Sequence, residues 1–364
     1  FFWVARMIVA GYEYRDEMPF KNVYFTGIVR DKQRRKMSKS LGNSPDPIEL
    51  MKKYGADGVR AGMLFSAPAG NDLLFDEKLC EQGRNFSNKL WNAFRLIKTL
   101  EVTDEGKDQS LATDWINSRF NEVLNEVEDH FSKYRISDAL LSLYTFIWDD
   151  FCSWYLEIIK DNSISDKTHK GTLAVLDKIL KALHPFMPFI TEELWNQIDD
   201  DRDYIMLSDY PAPEKFDDSL NNDFKKTFEI VTGLRKLKSD NRIKQIDVVE
   251  VMVNKKSEFD YDMYKELIEK LSKTKDLEVV NEVPGNCPTL ISGKDTICLA
   301  IEKSEDSKEE TLKQIEYLEG FLKSVEKKLS NKSFVDNAPE SVVEIERKKR
   351  DDAVIKLENL KKSI

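Results

Sequence analysis

Two lysines and two serines lie within five consecutive residues near the start of the chain, Lys36-Met37-Ser38-Lys39-Ser40. Residues 22–29, just before them, are rich in β-branched and aromatic side chains, which predicts a strand. Ligands of open α/β sheets bind at the carboxyl ends of the strands. Ammonium and hydroxyl groups at such a place suit a phosphate, although a basic run by composition alone favours a solvated surface.

The segment after this basic loop predicts a helix with clear end signals. Asp46 is expected to cap its first turn, Pro47 fits the first helical position, and Gly55 ends it. Residues 1–12 also have a helical pattern. Together with the strand, these helices predict a partial Rossmann-type α/β remnant, the tail of a βαβ unit, at the N-terminus.

Composition excludes several classes of protein. The 364 residues are enough for about two to four domains, and no run of about eighteen apolar residues could cross a membrane. The four cysteines and three histidines are widely spaced, so neither a zinc site nor a disulfide framework is expected. The N-terminus lacks a signal-peptide pattern and an initiator methionine, which predicts a cytoplasmic chain cut inside a larger protein. A net charge of −10 argues against indiscriminate nucleic-acid binding but leaves room for local basic faces.

Apolar spacings predict a mainly α fold beyond residue 75. Repeats of three and four residues predict a helical bundle over 76–215, with polar loops at 103–109 and 163–170. Heptad-like spacing over 304–364, interrupted at 331–337, predicts two helices that form an antiparallel coiled-coil hairpin.

The stretch between these two parts, 216–303, mixes helix and strand patterns and predicts a small α/β module. Its strands are predicted at 248–253, 277–283 and 296–301, and its helix at 264–271. Since no nucleotide-binding motif lies inside it, a structural spacer is the favoured interpretation of this module.

The basic loop resembles the KMSKS signature of class I aminoacyl-tRNA synthetases, extended by Leu41-Gly42-Asn43 as in their branched-aliphatic subgroup. Three stretches of the bundle resemble the anticodon-binding domain of valyl-tRNA synthetases: 83–93, 148–157 and 184–193. Three stretches near the end resemble the helical arm of that family: 329–335, 338–343 and 346–347. The resemblance covers essentially the whole chain.

What the resemblance implies is the C-terminal part of a valine–tRNA ligase. Residues 1–75 would end its catalytic domain, and the anticodon-binding bundle, the α/β module and the tRNA-binding arm would follow. Such an enzyme joins L-valine to ATP, which carries Mg²⁺, and passes the aminoacyl group to valine tRNA. The lysine at the place of Lys39 contacts the ATP phosphates, with Lys36 in support. The rest of the ATP-binding loop is Met37, Ser38 and Ser40. A monomer that binds no membrane and holds no metal of its own is implied.

The resemblance also implies residues that contact valine and tRNA. Trp3 aligns with a tryptophan that walls the valine pocket, and an ordinary core tryptophan is the alternative. The tRNA contacts expected on the first bundle helix are Lys78, Arg84, Lys89, Arg95 and Leu96. Those expected on the arm are Lys327, Lys328 and Lys348. Each of these cations has a solvated helix face as its alternative.

Two positions depart from the family pattern. Thr26 stands where histidine is common, and Arg34 with Arg35 stands where glycine is common, which is expected to stiffen the loop. The first nucleotide motif of such enzymes and their editing domain are not found in the sequence, so the chain alone is expected to be inactive but able to bind tRNA. Two alternatives stay open: a stand-alone tRNA-binding protein derived from a synthetase, and an isoleucyl-type ligase.

Overall fold

The structure, a computed structural model, describes residues 1–67, 72–199, 201–301, 305–330 and 340–362. The chain divides into two compact units, Phe1–Asp217 and Asp218–Ile364. Helices dominate both units, and the second also contains a four-stranded sheet. Within the described ranges, every helix is too short or too polar to span a membrane.

The N-terminal helix, α1 (Phe2–Arg15), agrees with the helical pattern of the first residues. The strand that follows, β1, is only Val29–Arg30, and it pairs in parallel with β2 (Leu73–Leu74). The strand predicted over 22–29 is therefore wrong except for its last residue. The apolar side chains before β1 are largely exposed, and β2 is too short to pair with them. Among the described residues, the local β pattern therefore has no partner strand to satisfy its backbone groups.

Three helices follow the basic loop: α2 (Pro47–Tyr54), α3 (Ala56–Phe65) and α4 (Glu77–Thr99). The predicted ends of α2 are confirmed, because the Asp46 carboxylate accepts a hydrogen bond from the Ile48 N–H at 2.8 Å and Gly55 lies at φ +76°.

Helices α3 and α4 cross at very short range through glycines. A Cβ atom on Gly62 would lie 2.6 Å from the Cys80 nitrogen, and one on Gly83 would lie 2.5 Å from the Gly58 oxygen. Glycine at these positions therefore sets how closely the two helices approach.

The bundle continues with helices that bury an aromatic and aliphatic core. They are α5 (Ser110–Ser132), α6 (Ile136–Thr145), a π-helical stretch (Phe146–Tyr155) that runs into α7 (Leu156–Ile159), α8 (Asp166–Leu183) and α9 (Pro188–Ile198). The helical character predicted for this part is confirmed.

The two predicted polar loops of the bundle differ from the structure. Residues Val102–Lys107 form an extended strand, β3, which bridges to Ile164 through both of its ends. Helix α8 begins at Asp166, inside the second predicted loop, because the Ser165 hydroxyl accepts a hydrogen bond from the Thr168 N–H and caps the first turn.

The second unit begins with α10 (Asp218–Asp240) and contains a small sheet with α11 (Tyr261–Ser272). Its strands are β4 (Val249–Asn254), β5 (Thr274–Val280), β6 (Thr289–Ser292) and β7 (Asp295–Leu299). They lie in the order β5-β4-β7-β6; β4 and β5 are parallel and the other pairs are antiparallel. Strand β6 was not predicted, and β5 starts three residues earlier than expected. The Gly293-Lys294 turn between β6 and β7 is the local signal that would have indicated the missing hairpin.

Two long helices end the chain, α12 (Glu305–Leu329) and α13 (Glu340–Lys362), and they pack against each other. The side chains of Val325, Val343, Ala353 and Leu357 are buried. The interruption predicted at 331–337 lies outside the described residues.

Candidate functional site

The basic loop starts with a tight turn directly after β1. The Arg34 N–H donates to the Asp31 carbonyl at 2.8 Å, and the Asp31 N–H donates to the Arg35 carbonyl at 2.9 Å. The Met37 N–H then donates to the Val29 carbonyl, so the chain doubles back on β1. Arg34 lies at φ +63°, in the left-handed region that favours glycine. The departure noted at Arg34 thus falls on a position where glycine would be unstrained.

The Asp31 carboxylate is the centre of this turn. It accepts hydrogen bonds from the backbone N–H groups of Gln33 and Arg35, from the Arg35 guanidinium at 2.8 Å and from the Asn43 side-chain amide at 3.0 Å. The bond from Asn43 and those from Arg35 favour the ionised form and lower the pKa of Asp31 to about 2. Asp31 is therefore a fixed negative charge beneath a positive loop at neutral pH.

Asn43 joins the two ends of the loop. Its side-chain oxygen accepts from the Ser38 N–H at 2.9 Å, and its Nδ2 donates to Asp31 and to the Lys36 carbonyl at 3.3 Å. We call Asp31 and Asn43 the loop latch. Because both groups of the Asn43 amide are used, the latch fixes the backbone on either side of Met37.

The signature residues have different surroundings within the latched loop. Met37 packs against the apolar cluster formed by α2, α4 and the β2 region. The Ser38 hydroxyl accepts a hydrogen bond from the Ser40 N–H and so caps a single 3-10 turn over Lys39–Leu41. It also lies 2.6 Å from the Ser40 hydroxyl. The Ser38 hydroxyl therefore helps to hold the conformation of the loop.

Three of the six cations between Arg30 and Lys39 are neutralised by nearby carboxylates. Arg30 pairs with Asp72 at 2.5 Å, Lys32 with Asp76 at 3.1 Å, and Arg35 with Asp31 at 2.8 Å. The exposed ammonium groups of Lys36 and Lys39 differ from these, because neither has an ion-pair partner among the described residues.

Two unpaired ammonium groups on a fixed loop form a site that can attract an anion. Their exposure leaves them accessible to a bound polyphosphate. The loop thus presents positive charge at Lys36 and Lys39, while the side chains of Arg30, Lys32 and Arg35 are held by carboxylates.

Trp3 lies on α1 and is 69% exposed, with the Arg6 guanidinium 4.0 Å from the centre of its ring. Helix α1 contains no buried residue. Trp3 is therefore exposed in this structure, and its contact with valine stays a prediction.

The residues predicted on the first bundle helix are spread along the whole of α4. Lys78 and Arg95 are 17 residues apart, which corresponds to about 25 Å along the helix axis. Lys78 lies in the first turn, beside the Lys32–Asp76 pair of the basic loop, whereas Arg95 and Leu96 lie in the last turns. The structure therefore does not bring these residues together into one base-reading site.

The two cations in the middle of α4 already have partners. The Lys89 ammonium donates to the Ser153 hydroxyl at 3.0 Å and lies 4.1 Å from the centre of the Trp148 ring. The Arg84 guanidinium pairs with Glu81 at 3.7 Å. Any contact of these two residues with phosphate therefore requires them to give up part of these interactions.

The three lysines predicted on the arm are exposed: Lys327 and Lys328 lie in the last turn of α12, and Lys348 lies in the first half of α13. Lys328 lies 3.9 Å from Glu346, a carboxylate that also accepts from Lys349. For Lys327 and Lys348, no ion pair occurs within the parts of the chain that the structure describes.

Two residues of α3 that the sequence analysis did not single out, Asp57 and Arg60, have a clear structural role. The Asp57 carboxylate on α3 accepts hydrogen bonds from the backbone N–H groups of Phe189 and Ile190 and so caps α9. The Arg60 guanidinium donates to the carbonyls of Pro185 and Phe186. Burial raises the pKa of Asp57, and the two backbone N–H groups oppose that rise. These contacts fix α3 to the bend between α8 and α9, which lies more than 120 residues further along the chain.

Three family models match the chain. They describe tRNA synthetases class I (I, L, M and V) at residues 1–76, the anticodon-binding domain of tRNA ligase at 113–253, and the valyl tRNA synthetase tRNA binding arm at 305–364. The basic loop lies in the first match, and most of the helical bundle lies in the second. The chain is therefore part of a class I aminoacyl-tRNA synthetase.

Curated relatives match the chain over its whole length. The valine–tRNA ligase of Christiangramia forsetii is 49% identical over the whole chain, that of Phocaeicola vulgatus 48%, and that of Fusobacterium nucleatum 36%. The chain belongs to the valine–tRNA ligase family. It spans 42–44% of the length of these three relatives.

Two solved structures resemble the chain only distantly. A leucyl enzyme from Agrobacterium radiobacter, solved with tRNA, has a TM-score of 0.45 at 18% identity and covers 59% of this chain and 27% of its own. The methionyl-tRNA synthetase of Mycobacterium tuberculosis has a TM-score of 0.41 at 20% identity, with 54% and 40% covered. Likenesses this weak carry no argument about the site.

Proposed function

We propose that this chain is the part of a valine–tRNA ligase that closes on the phosphates of ATP and holds valine tRNA. The observation that carries the proposal is the pair of exposed, unpaired ammonium groups of Lys36 and Lys39 on a latched loop. The similarity to valine–tRNA ligases over the whole chain supports valine as the amino acid. It does not favour an isoleucyl-type ligase or a stand-alone tRNA-binding protein.

The chemistry of this reaction needs positive charge at the phosphates. Valine attacks the α-phosphate of ATP, pyrophosphate leaves, and negative charge builds on its oxygens. A lysine that engages those oxygens more strongly in the transition state than in the ground state lowers the barrier. Lys39 has this role in our proposal, and Lys36 supports the same anion. The Mg²⁺ would be carried by the nucleotide.

The remaining parts of the chain would hold the tRNA. We assign residues 1–75 to the end of the catalytic domain, 76–215 to anticodon binding, 216–303 to a linker module and 304–364 to a coiled-coil arm. The buried seam of Val325, Val343, Ala353 and Leu357 supports the coiled-coil assignment. We also assign the ligase to the cytoplasm as a monomer.

The role of Lys39 is tested in the longer ligase by valine-dependent exchange of pyrophosphate into ATP. Lys39→Ala should lower the exchange rate by about 10²–10³-fold, in line with other losses of a fixed charge contact in the transition state. The matched control is Lys52→Ala on α2, an exposed lysine whose ammonium group pairs with Glu49 at 2.7 Å. If Lys39→Ala exchanged at more than half of the wild-type rate, Lys39 would have no part in catalysis.

Binding of tRNA is tested on the 364-residue chain itself. Valine tRNA should bind more tightly than a non-cognate tRNA, and its affinity should fall steeply with salt because each phosphate contact releases counterions. Valine activation by this chain alone should be absent. Equal affinity for all tRNAs in a gel-shift titration would contradict the anticodon-binding assignment, and measurable pyrophosphate exchange would contradict the expected inactivity.

A further inference from the structure

The small α/β module contains a concave surface that no assignment above explains. Its cavity, about 660 Å³, is lined by three elements that meet at one end of the sheet. These are α10, the loop after β4, and the turn between β6 and β7. Four of its lining residues could contact a ligand through polar or charged side chains: Lys225, Lys256, Lys294 and Ser292. We call this cavity the module pocket.

The base of the module pocket is held by a wholly buried carboxylate. Asp295 accepts hydrogen bonds from the backbone N–H groups of Lys256 and Ser257, from the Ser257 and Tyr261 hydroxyls, and from the Lys226 ammonium at 2.7 Å. These donors lower the pKa of Asp295, and its charge neutralises that of Lys226. The network fixes the loop after β4 against the β6–β7 turn, so the pocket is pre-formed.

The rim of the module pocket carries positive charge without matching partners. Lys225, Lys256 and Lys294 are exposed, and no ion pair to any of them occurs within the described residues. Two carboxylates, Glu229 and Glu258, also line the cavity. Three unpaired ammonium groups against these two carboxylates leave an excess of positive charge, on a chain whose net charge is −10.

An unsatisfied hydroxyl lies in the same wall. Ser292 is only 6% exposed, its Oγ has no hydrogen-bond partner, and it lines the module pocket at the end of β6. A buried hydroxyl without a partner is costly, typically about 1–3 kcal/mol. A bound acceptor oxygen would satisfy it. The adjacent Gly293 lies at φ +60° with open space around its Cα, so the backbone of the turn is accessible from the pocket.

We propose that the module pocket binds a phosphate group, and that the phosphate belongs to the backbone of an RNA. A phosphate offers several acceptor oxygens, which suits a pocket lined by one unsatisfied hydroxyl and three unpaired lysines. The RNA assignment rests on the proposed function, because the same chain is expected to hold a tRNA. It gives the module a binding role in place of the structural spacer that its sequence favoured.

The test compares two double variants of the 364-residue chain in tRNA binding. Lys256→Ala/Lys294→Ala removes two rim charges, and Lys236→Ala/Lys244→Ala removes two exposed lysines of the same unit that do not line the pocket. Loss of one phosphate contact should reduce the slope of log affinity against log salt by about 0.7–0.9. The pocket variant should show this reduction, and the control variant should keep the wild-type slope.

A second measurement asks whether the pocket takes phosphate at all. Inorganic phosphate at millimolar concentration, with chloride at equal ionic strength as the reference, should shift the amide resonances of Gly293 and Lys294, and Ser292→Ala should weaken that shift. If phosphate caused no shift, the pocket would not be a phosphate site. If it caused a shift while the tRNA salt slope stayed unchanged in the pocket variant, a free anion rather than RNA would be the ligand, and the RNA assignment would be overturned. Failure of the wild-type chain to bind any tRNA would count against the proposed function, whereas the phosphate shift would still decide the pocket.

Discussion

Replacing Asn43 by alanine removes three hydrogen bonds from the basic loop. The Ser38 N–H loses its acceptor, and both Asp31 and the Lys36 carbonyl lose a donor. A hydrogen bond contributes about 0.5–1.5 kcal/mol, so loss of the two shorter bonds alone, at 2.9 and 3.0 Å, should cost the latched form about 1–3 kcal/mol relative to open forms. That range corresponds to an increase of about 5–150-fold in the open population of the loop. The global fold should be unaffected, since Asn43 is not part of the apolar core.

Native-state amide hydrogen exchange on the 364-residue chain measures this directly. The amides of Ser38 and Arg35 should exchange faster in Asn43→Ala by the factor given above, while core amides of α4 keep their rates. Asn88→Ala, an exposed asparagine on α4, is the matched control and should leave the loop unchanged. In the longer ligase, the same variant should slow pyrophosphate exchange, because Lys36 and Lys39 would be presented less often. Unchanged exchange at Ser38 in Asn43→Ala would refute the latch.

Three further outcomes follow from the same geometry. The left-handed backbone conformation of Arg34 costs about 1–2 kcal/mol, and Arg34→Gly should remove this strain and so slow amide exchange in the loop turn. Faster exchange would contradict this. Gly62→Ala should lower the unfolding free energy of the first unit by about 3 kcal/mol, because its Cβ would meet the Cys80 backbone. Gly320→Ala on α12 has open space around the new Cβ and should raise the stability of its own helix by about 0.5–1 kcal/mol. Urea denaturation, followed by tryptophan fluorescence and by circular dichroism, tests both predictions. Because the folded pKa of Asp31 is depressed to about 2, its contribution to loop order is present above pH 4 and is lost as the pH falls toward 2; loop resonances that changed between pH 8 and 5 would be inconsistent with that assignment.

Local patterns predicted the helices well because their signals lie within the elements themselves. Asp46 and Gly55 bound α2 as expected, and the apolar spacing of the bundle and arm gave long helices. The same reasoning failed at 22–29, where the side chains favour a strand but none of the strands in the described ranges pairs with residues 22–28. It also missed β3 and β6, two short strands whose existence depends on contacts with Ile164 and with β7.

Sequence alone determined the chemistry that this loop can offer: two lysines and two serines, in an order shared with class I synthetases. The tertiary structure decided which of the loop's cations stay available. Arg30 and Lys32 are neutralised by Asp72 and Asp76, carboxylates more than forty positions away, while Lys36 and Lys39 are left without such partners. Charge pairing depends on a separation of a few ångströms in space, and spacing along a chain does not specify that separation until the chain has folded.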